Sequence, residues 1–211
     1  MAYPYQYWRD GGTIQAILLN MNLIYRSIVI TALLVLSGCH TTKEEAMNTT
    51  EPYNFYVGTY TSGSSEGIYK YALHTDGSID RIGLAVKTDN PSFLAMSSDK
   101  KFLVAVNEIK NEDEVGTVES FLVSEDTLKL MNRRSSGGAH PCFVAVNDSG
   151  VVLTANYTGG NIGQLQLDAQ GRLGELLDVL QHEGQGTTER QQAPHAHSVW
   201  FRPNNKGVIS I

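Results

Sequence analysis

Cysteine is almost missing from this chain: two residues in 211, Cys39 and Cys142, which cannot make a disulfide framework. Basic clusters are missing too. Sixteen Lys and Arg stand against 22 Asp and Glu, for a net charge of −6, and no basic stripe of the kind that nucleic-acid binding requires is present. Long apolar runs are missing: the run from about Ile28 to Leu36 is too short to span a bilayer as a mature helix. After residue 52 no segment carries the apolar stripe of an amphipathic helix. What is there is a chain with 41% hydrophobic residues, long enough for one domain with a real core. Its short β-rich runs alternate with Gly, Asn, Asp and Ser clusters, which is the all-β pattern.

The first fifty residues stand apart. From Met21 the text reads MNLIYRSIVITALLVLSGCHTTKEE, with a polar start, Arg26, the apolar run and then small residues up to Cys39. This is the layout of a secretory signal. Leu36-Ser37-Gly38-Cys39 resembles the bacterial lipobox, and that resemblance implies cleavage before Cys39 and lipidation of its thiol. The expected organisation is an upstream extension over 1–20 from a misplaced start, a lipoprotein signal over 21–38, and a polar flexible tether over 39–52. The expected place is the bacterial cell envelope, with membrane contact only through lipid on Cys39.

Self-similarity organises the remainder. PSFLAMSSDKKFLVAVNE (91–108) lines up with PCFVAVNDSGVVLTANY (141–157), and PHAHSVWFRPNNKGVISI (194–211) begins a third copy. Pro91, Pro141 and Pro194 mark the period. Between them recur GIYKYALHTDGSI (67–79), GTVESFLVSEDTL (116–128) and NIGQLQLDAQGRL (161–173). One period therefore holds four strands, A to D, with A over 91–97, B over 102–108, C over 116–123 and D over roughly 127–134. A four-stranded meander repeated at this spacing is the pattern of a β-propeller. The first unit starts at strand B, with NFYVGTYTSG (54–63) matching VLTANYTGG (152–160), and the sequence stops inside strand B of a fourth unit. The expectation is a partial, truncated propeller of about three to three and a half blades over 53–211.

In such a meander the start of A, the end of B and the start of C share one face of the disc. His140, Arg190 and His195 fall there, with Asn107 and Glu108 at the end of one B strand and Asn156 and Tyr157 at the end of the next. His197 is expected two residues into strand A, on the same side as His195. These residue types suit acid/base work, with His and Glu as proton acceptors and Arg as an anion stabiliser. A polar rim without chemistry remains the alternative.

The run YVGTYTSG…GIYKY, NPSFLAMSSDKKFLVAVNE, HPCFVAV, ANYTGGNI and RQQAPHAHSV resembles the bacterial 6-phosphogluconolactonase family of seven-bladed β-propeller lactonases, over about residues 53–211. The resemblance implies hydrolysis of a sugar lactone, typically 6-phosphogluconolactone, with no cofactor. The partner is then a small sugar lactone, with no nucleic acid, and the full-length protein is expected to be a monomer. Water would attack the lactone carbonyl, with His195, His197 or Glu108 as base. Arg190 and His140 would steady the oxyanion or an anionic group, and Asn156, Tyr157 and Asn107 would bind hydroxyls. An exported protein would not meet a cytosolic phosphorylated lactone, so an unphosphorylated one is the alternative substrate. A non-catalytic envelope propeller that binds a ligand or partner is the alternative function.

Two further patterns carry less. Gly63-Ser64-Ser65-Glu66-Gly67 matches G-x-S-x-G by letter, but between two meander strands it lacks the strand-to-helix turn that a nucleophile elbow needs. His195, His197 and His140 could together ligate a divalent metal, which the resemblance does not require. Cys142 reads as a small buried residue of an inner strand.

Overall fold

The computed structural model describes residues 51–203 and 206–211. The expected extension, signal, Cys39 and most of the tether lie outside the described residues.

Thirteen strands follow the meander pattern. The first sheet holds β1 (Tyr53–Val57), β2 (Gly67–Leu73) and β3 (Ile79–Lys87). The second holds β4 (Phe93–Met96), β5 (Phe102–Asn107), β6 (Thr117–Val123) and β7 (Leu128–Ser135). The third holds β8 (Pro141–Val146), β9 (Val151–Asn156), β10 (Asn161–Gln166) and β11 (Asp178–Gln181). A last hairpin pairs β12 (Val199–Phe201) with β13 (Val208–Ser210). Every pairing is antiparallel between sequence neighbours. The strands of the second sheet fall where the repeated text places them, whereas the last strand of the third sheet, expected to begin within 161–173, starts only at Asp178; the fold is all-β, a partial β-propeller.

Side-chain alternation explains why these runs form stacked sheets. All six residues of β5, FLVAVN, are buried. Phe102, Val104 and Val106 pack with Val144, Val152 and Leu165 of the third sheet. Leu103 and Ala105 pack with Ile68 and Ala85 of the first. Successive side chains leave opposite faces of a strand, so a strand between two neighbouring sheets must be apolar at every position. β9 repeats the arrangement: Val152 packs towards the second sheet, while Leu153 and Ala155 pack with Ala196 and Val199 beside the last hairpin. The aromatic rings of Phe93, Phe143 and Trp200 continue from sheet to sheet, with centroids 4.1 and 4.8 Å apart.

A carboxylate is buried in this stack. Glu119 of β6 is 1% exposed. Arg133 of β7 donates Nε and Nη2 to its Oε1 at 2.8 and 2.6 Å. Thr88, just past β3, donates its hydroxyl to Oε2, which ties the first sheet to the second. A buried carboxylate persists only when its lone pairs are filled in this way.

Replacing Arg133 by Met would strand the Glu119 carboxylate. Because Arg133 is itself half exposed, the expected loss is about 3 kcal/mol, at the low end for breaking a buried ion pair. Urea unfolding of the variant checks this, and a midpoint equal to that of the parent would refute it.

Candidate active site

Turn geometry sets which residues of successive sheets are equivalent. Ser97 N donates to Phe102 O at 2.9 Å, and Arg202 N donates to Gly207 O at 3.0 Å. Both bonds close the same length of turn, so Arg202 stands where Ser97 stands. Asn147 N bonds Val151 O at 3.1 Å in the turn between β8 and β9, one residue shorter. Counting back from these turns, Ala196 occupies the place of Pro91 and Pro141. The expectation that Pro194 marked the third repeat is corrected by two residues, because Pro194 belongs to the long connection leading in from β11.

The corrected register produces three rows at one end of the sheets. Asn90, His140 and His195 share the first place, just before the inner strands. Ser92, Cys142 and His197 share the second. Tyr60, Glu108 and Tyr157 share the third, one residue past β5 and β9 and in the matching loop after β1. Asn90 and His140 both have left-handed backbones, with φ of 42° and 49°, a conformation that Asn and His accept more readily than most residues. Their carbonyls accept from Glu108 N at 2.9 Å and Tyr157 N at 3.0 Å. Each bond hooks the end of the second strand of a sheet to the entry of its first, and so fixes where Glu108 and Tyr157 emerge.

The second and third rows converge. Ser92, Cys142 and His197 with Tyr60, Glu108 and Tyr157 line a cavity of about 410 Å³. A second cavity of about 590 Å³ lies under the connection from β11, lined among others by Tyr157, Glu183, Arg190 and His195. Arg190 sits there on a short 3-10 turn, Glu189–Gln191. Tyr157 belongs to both cavities. Its ring stacks on His195, with centroids 4.5 Å apart and planes at 10°, and meets His197 edge-on at 6.0 Å.

The predicted cluster therefore divides. His195 and Arg190 share one cavity, and His197 and Glu108 share the other. His197 precedes β12 rather than lying inside it, and faces a different cavity from His195, because the strand begins only at Val199. His140 lines neither and pairs Nδ1 with the Thr158 hydroxyl at 2.8 Å. Asn107 and Asn156, expected to bind hydroxyls, are 0% exposed and point into the sheets. Asn107 gives its amide to Thr88 Oγ1 at 2.8 Å and Asp89 O at 2.7 Å, and accepts from the Thr117 hydroxyl at 2.9 Å. Asn156 gives its amide to Ser136 O at 3.0 Å and Asn161 Oδ1 at 2.7 Å. Alternation explains the difference: each Asn faces the interior, so the next residue, Glu108 or Tyr157, faces out. Both asparagines are corrected to structural roles.

Hydrogen bonding defines what the histidines can do. The partner of His195 Nδ1 is the Tyr157 carbonyl at 3.1 Å, which can only accept. Nδ1 therefore carries the hydrogen, and in the neutral ring Nε2 is the acceptor. Among the described residues no three of His, Cys, Asp and Glu converge as a metal ion would require, so the three-histidine site weighed from the sequence does not form.

Glu108 dominates the smaller cavity. Tyr60 donates its hydroxyl to Glu108 Oε2 at 2.7 Å. That bond, with burial and the carboxylate charge added, pushes the phenol up to about 12. Burial first, and then the Glu108 charge, pushes the Cys142 thiol up to about 11. Cys142 is half-buried rather than buried, and its sulfur lies 3.5 Å from the His197 carbonyl. Tyr60, Ser92 and Glu183 were not singled out from the sequence. Tyr60 carried a signal, since the match of 54–63 to 152–160 already placed it opposite Tyr157.

Comparison with known proteins supports this architecture. A family model described as lactonase, 7-bladed beta-propeller, matches residues 54–211. The 6-phosphogluconolactonase of Bacillus subtilis (strain 168) is 34% identical over 163 residues, covering 75% of this chain and 46% of that protein. A Bacteroides fragilis protein provisionally named a 6-phosphogluconolactonase superposes with a TM-score of 0.71 at 34% identity, over 78% of this chain and 46% of that one. The periplasmic gluconolactonase PpgL of Pseudomonas aeruginosa superposes with a TM-score of 0.70 at 30% identity, over 75% of this chain and 47% of that one. The chain spans about half the length of the curated relatives it matches.

The thiol shift is directly measurable. Iodoacetamide should modify Cys142 slowly at pH 8, where the thiol is protonated, and the rate should still be climbing as pH approaches 11. Peptide-resolved mass spectrometry separates it from Cys39. A rate that levels off below pH 9 would contradict the described environment.

Proposed function

Because the chain belongs to the seven-bladed β-propeller lactonase family, we propose that it takes part in opening a sugar lactone by water, at the cavity shared by His195 and Arg190. The observation that carries this reading is the fixed ring of His195. Its Nδ1–H is spent on the Tyr157 carbonyl, its plane is held by the Tyr157 ring, and its Nε2 is left as a proton acceptor in a cavity that also holds a guanidinium.

The chemistry follows from those groups. A water held by His195 Nε2 attacks the lactone carbonyl carbon as Nε2 takes its proton. The carbonyl oxygen becomes an oxyanion, which Arg190 stabilises as a fixed cation. The tetrahedral adduct collapses, the ring C–O bond breaks, and His195 returns the proton to the departing alkoxide, giving the open hydroxy acid. His140, in the equivalent place of the neighbouring sheet, lines neither cavity, is held by Thr158 and takes no part in these steps. His197 and Glu108 stand on the other side of Tyr157 and contact the remainder of the sugar.

We further propose that the protein works at the cell envelope on an unphosphorylated lactone. The support is the lipobox-like run ending at Cys39 and the likeness to a relative named a periplasmic gluconolactonase.

In the full chain, His195→Ala should lower kcat/KM on a sugar lactone by on the order of a hundredfold, and Arg190→Ala by a similar factor. Both are checked by lactone hydrolysis assays, with circular dichroism to confirm folding. Full turnover in both variants would overturn the assignment. Tight ligand binding without turnover by the parent would favour a binding module instead. Cys39→Ser should abolish labelling by radioactive palmitate, and retained label would refute the anchor.

A further inference from the structure

The Tyr60–Glu108 pair lies outside the proposed chemistry, and its geometry points to a task of its own. We propose that it is a specificity device: a subsite that accepts hydrogen bonds from the free hydroxyls of a sugar and repels a phosphate at the same position. The inference rests on the lactonase reading for the identity of the ligand, and it adds the residues that choose between lactones.

The argument is one of charge and hydrogen-bond supply. Six side chains line the smaller cavity, and no Lys or Arg is among them. Glu108 brings the only carboxylate. Tyr60 and Cys142 both hold their protons: the bond to Glu108 pushes the phenol up to about 12, and burial, with the Glu108 charge second, pushes the thiol up to about 11. Arg190 lines the other cavity. A phosphate entering beside Glu108 would therefore meet a like charge with no Lys or Arg in the lining to offset it, and such juxtapositions oppose binding strongly.

A sugar hydroxyl meets the opposite situation. Tyr60 donates to Oε2 of Glu108 at 2.7 Å and holds the carboxylate in one orientation. Oε1 makes no hydrogen bond with any described residue, which leaves it as a charged acceptor, the stronger kind. The Tyr60 hydroxyl and the His197 ring add further hydrogen-bonding partners around the same space. Tyr157 lines both cavities, so in this proposal a lactone with its carbonyl at His195 has Glu108 on the other side of that ring. The pairing itself follows from the repeat: Tyr60 and Glu108 hold the same place in successive sheets, and strand packing brings adjacent equivalents together.

The test uses the full chain and two lactones, gluconolactone and its 6-phosphate. Glu108→Gln removes the charge and keeps the shape. It should raise the ratio of kcat/KM for the phosphorylated over the unphosphorylated lactone by about tenfold or more, mainly through KM. Tyr60→Phe frees the carboxylate without neutralising it. It should raise KM for the unphosphorylated lactone several-fold while keeping the discrimination against phosphate. An unchanged ratio in Glu108→Gln would overturn the proposal. So would an equal hundredfold loss of kcat on both lactones, which would make Glu108 a base. If the parent hydrolyses neither lactone, the lactonase reading fails and the subsite is judged by calorimetry with gluconate and 6-phosphogluconate. A Kd ratio that moves towards the phosphate in Glu108→Gln upholds it, and an unmoved ratio overturns it.

Discussion

Phe102, Val104 and Val106 of β5 face one neighbouring sheet while Leu103 and Ala105 face the other, and the fold depends on this two-sided burial. A strand with one wet face can alternate apolar and polar residues. A strand clamped between two sheets cannot, so FLVAVN is buried from end to end. The same demand sets the limits of what can be placed inside. Glu119 is tolerated because Arg133 and Thr88 fill its lone pairs. Asn107, at the end of the same strand, is buried because it has a complete set of partners.

Stacking also explains how a site arises at one end of the sheets. Each second strand ends where its first strand begins, and a backbone bond from Glu108 or Tyr157 to the left-handed residue before the inner strand fixes that junction. Equivalent residues of successive sheets are then neighbours in space. Tyr60, Glu108 and Tyr157 are far apart in the chain, yet they line one cavity with Ser92, Cys142 and His197. One place per sheet supplies one wall, so chemical variety at that place becomes variety within a single cavity. Where the connection from β11 is long, it folds over Tyr157 and adds a second cavity that carries Arg190 and His195.

The two cavities differ in charge, and Tyr157 stands between them. One holds a guanidinium, the Glu183 carboxylate and a histidine whose tautomer is set by a carbonyl. The other is lined by a single carboxylate, with a phenol and a thiol that keep their protons beside it. Under the proposed reading, the reacting end of a lactone, which gains negative charge, faces Arg190, and the hydroxylated end faces Glu108.

The strands were legible in the sequence because their signals are local. Turn residues, alternation and repeated text placed strand B at 102–108 against an observed Phe102–Asn107, and strand C at 116–123 against Thr117–Val123. The repeat was legible too, as were His195, Arg190, Glu108 and Tyr157 as residues of one end of the sheets. Pro194 imitates Pro91 and Pro141 in the sequence, whereas hydrogen-bonded turns identify Ala196, two residues on, as the equivalent in the third repeat. The asparagines were placed on the wrong side because adjacent residues at a strand end face opposite ways, and only packing shows which faces inward. Sequence alone determined the strand order, the repeat and the residue types available for chemistry, since those depend on near neighbours along the chain. Tertiary structure alone decided that His195 and His197 serve different cavities and that Tyr60 meets Glu108, because those contacts join residues that only the stacking of sheets brings together.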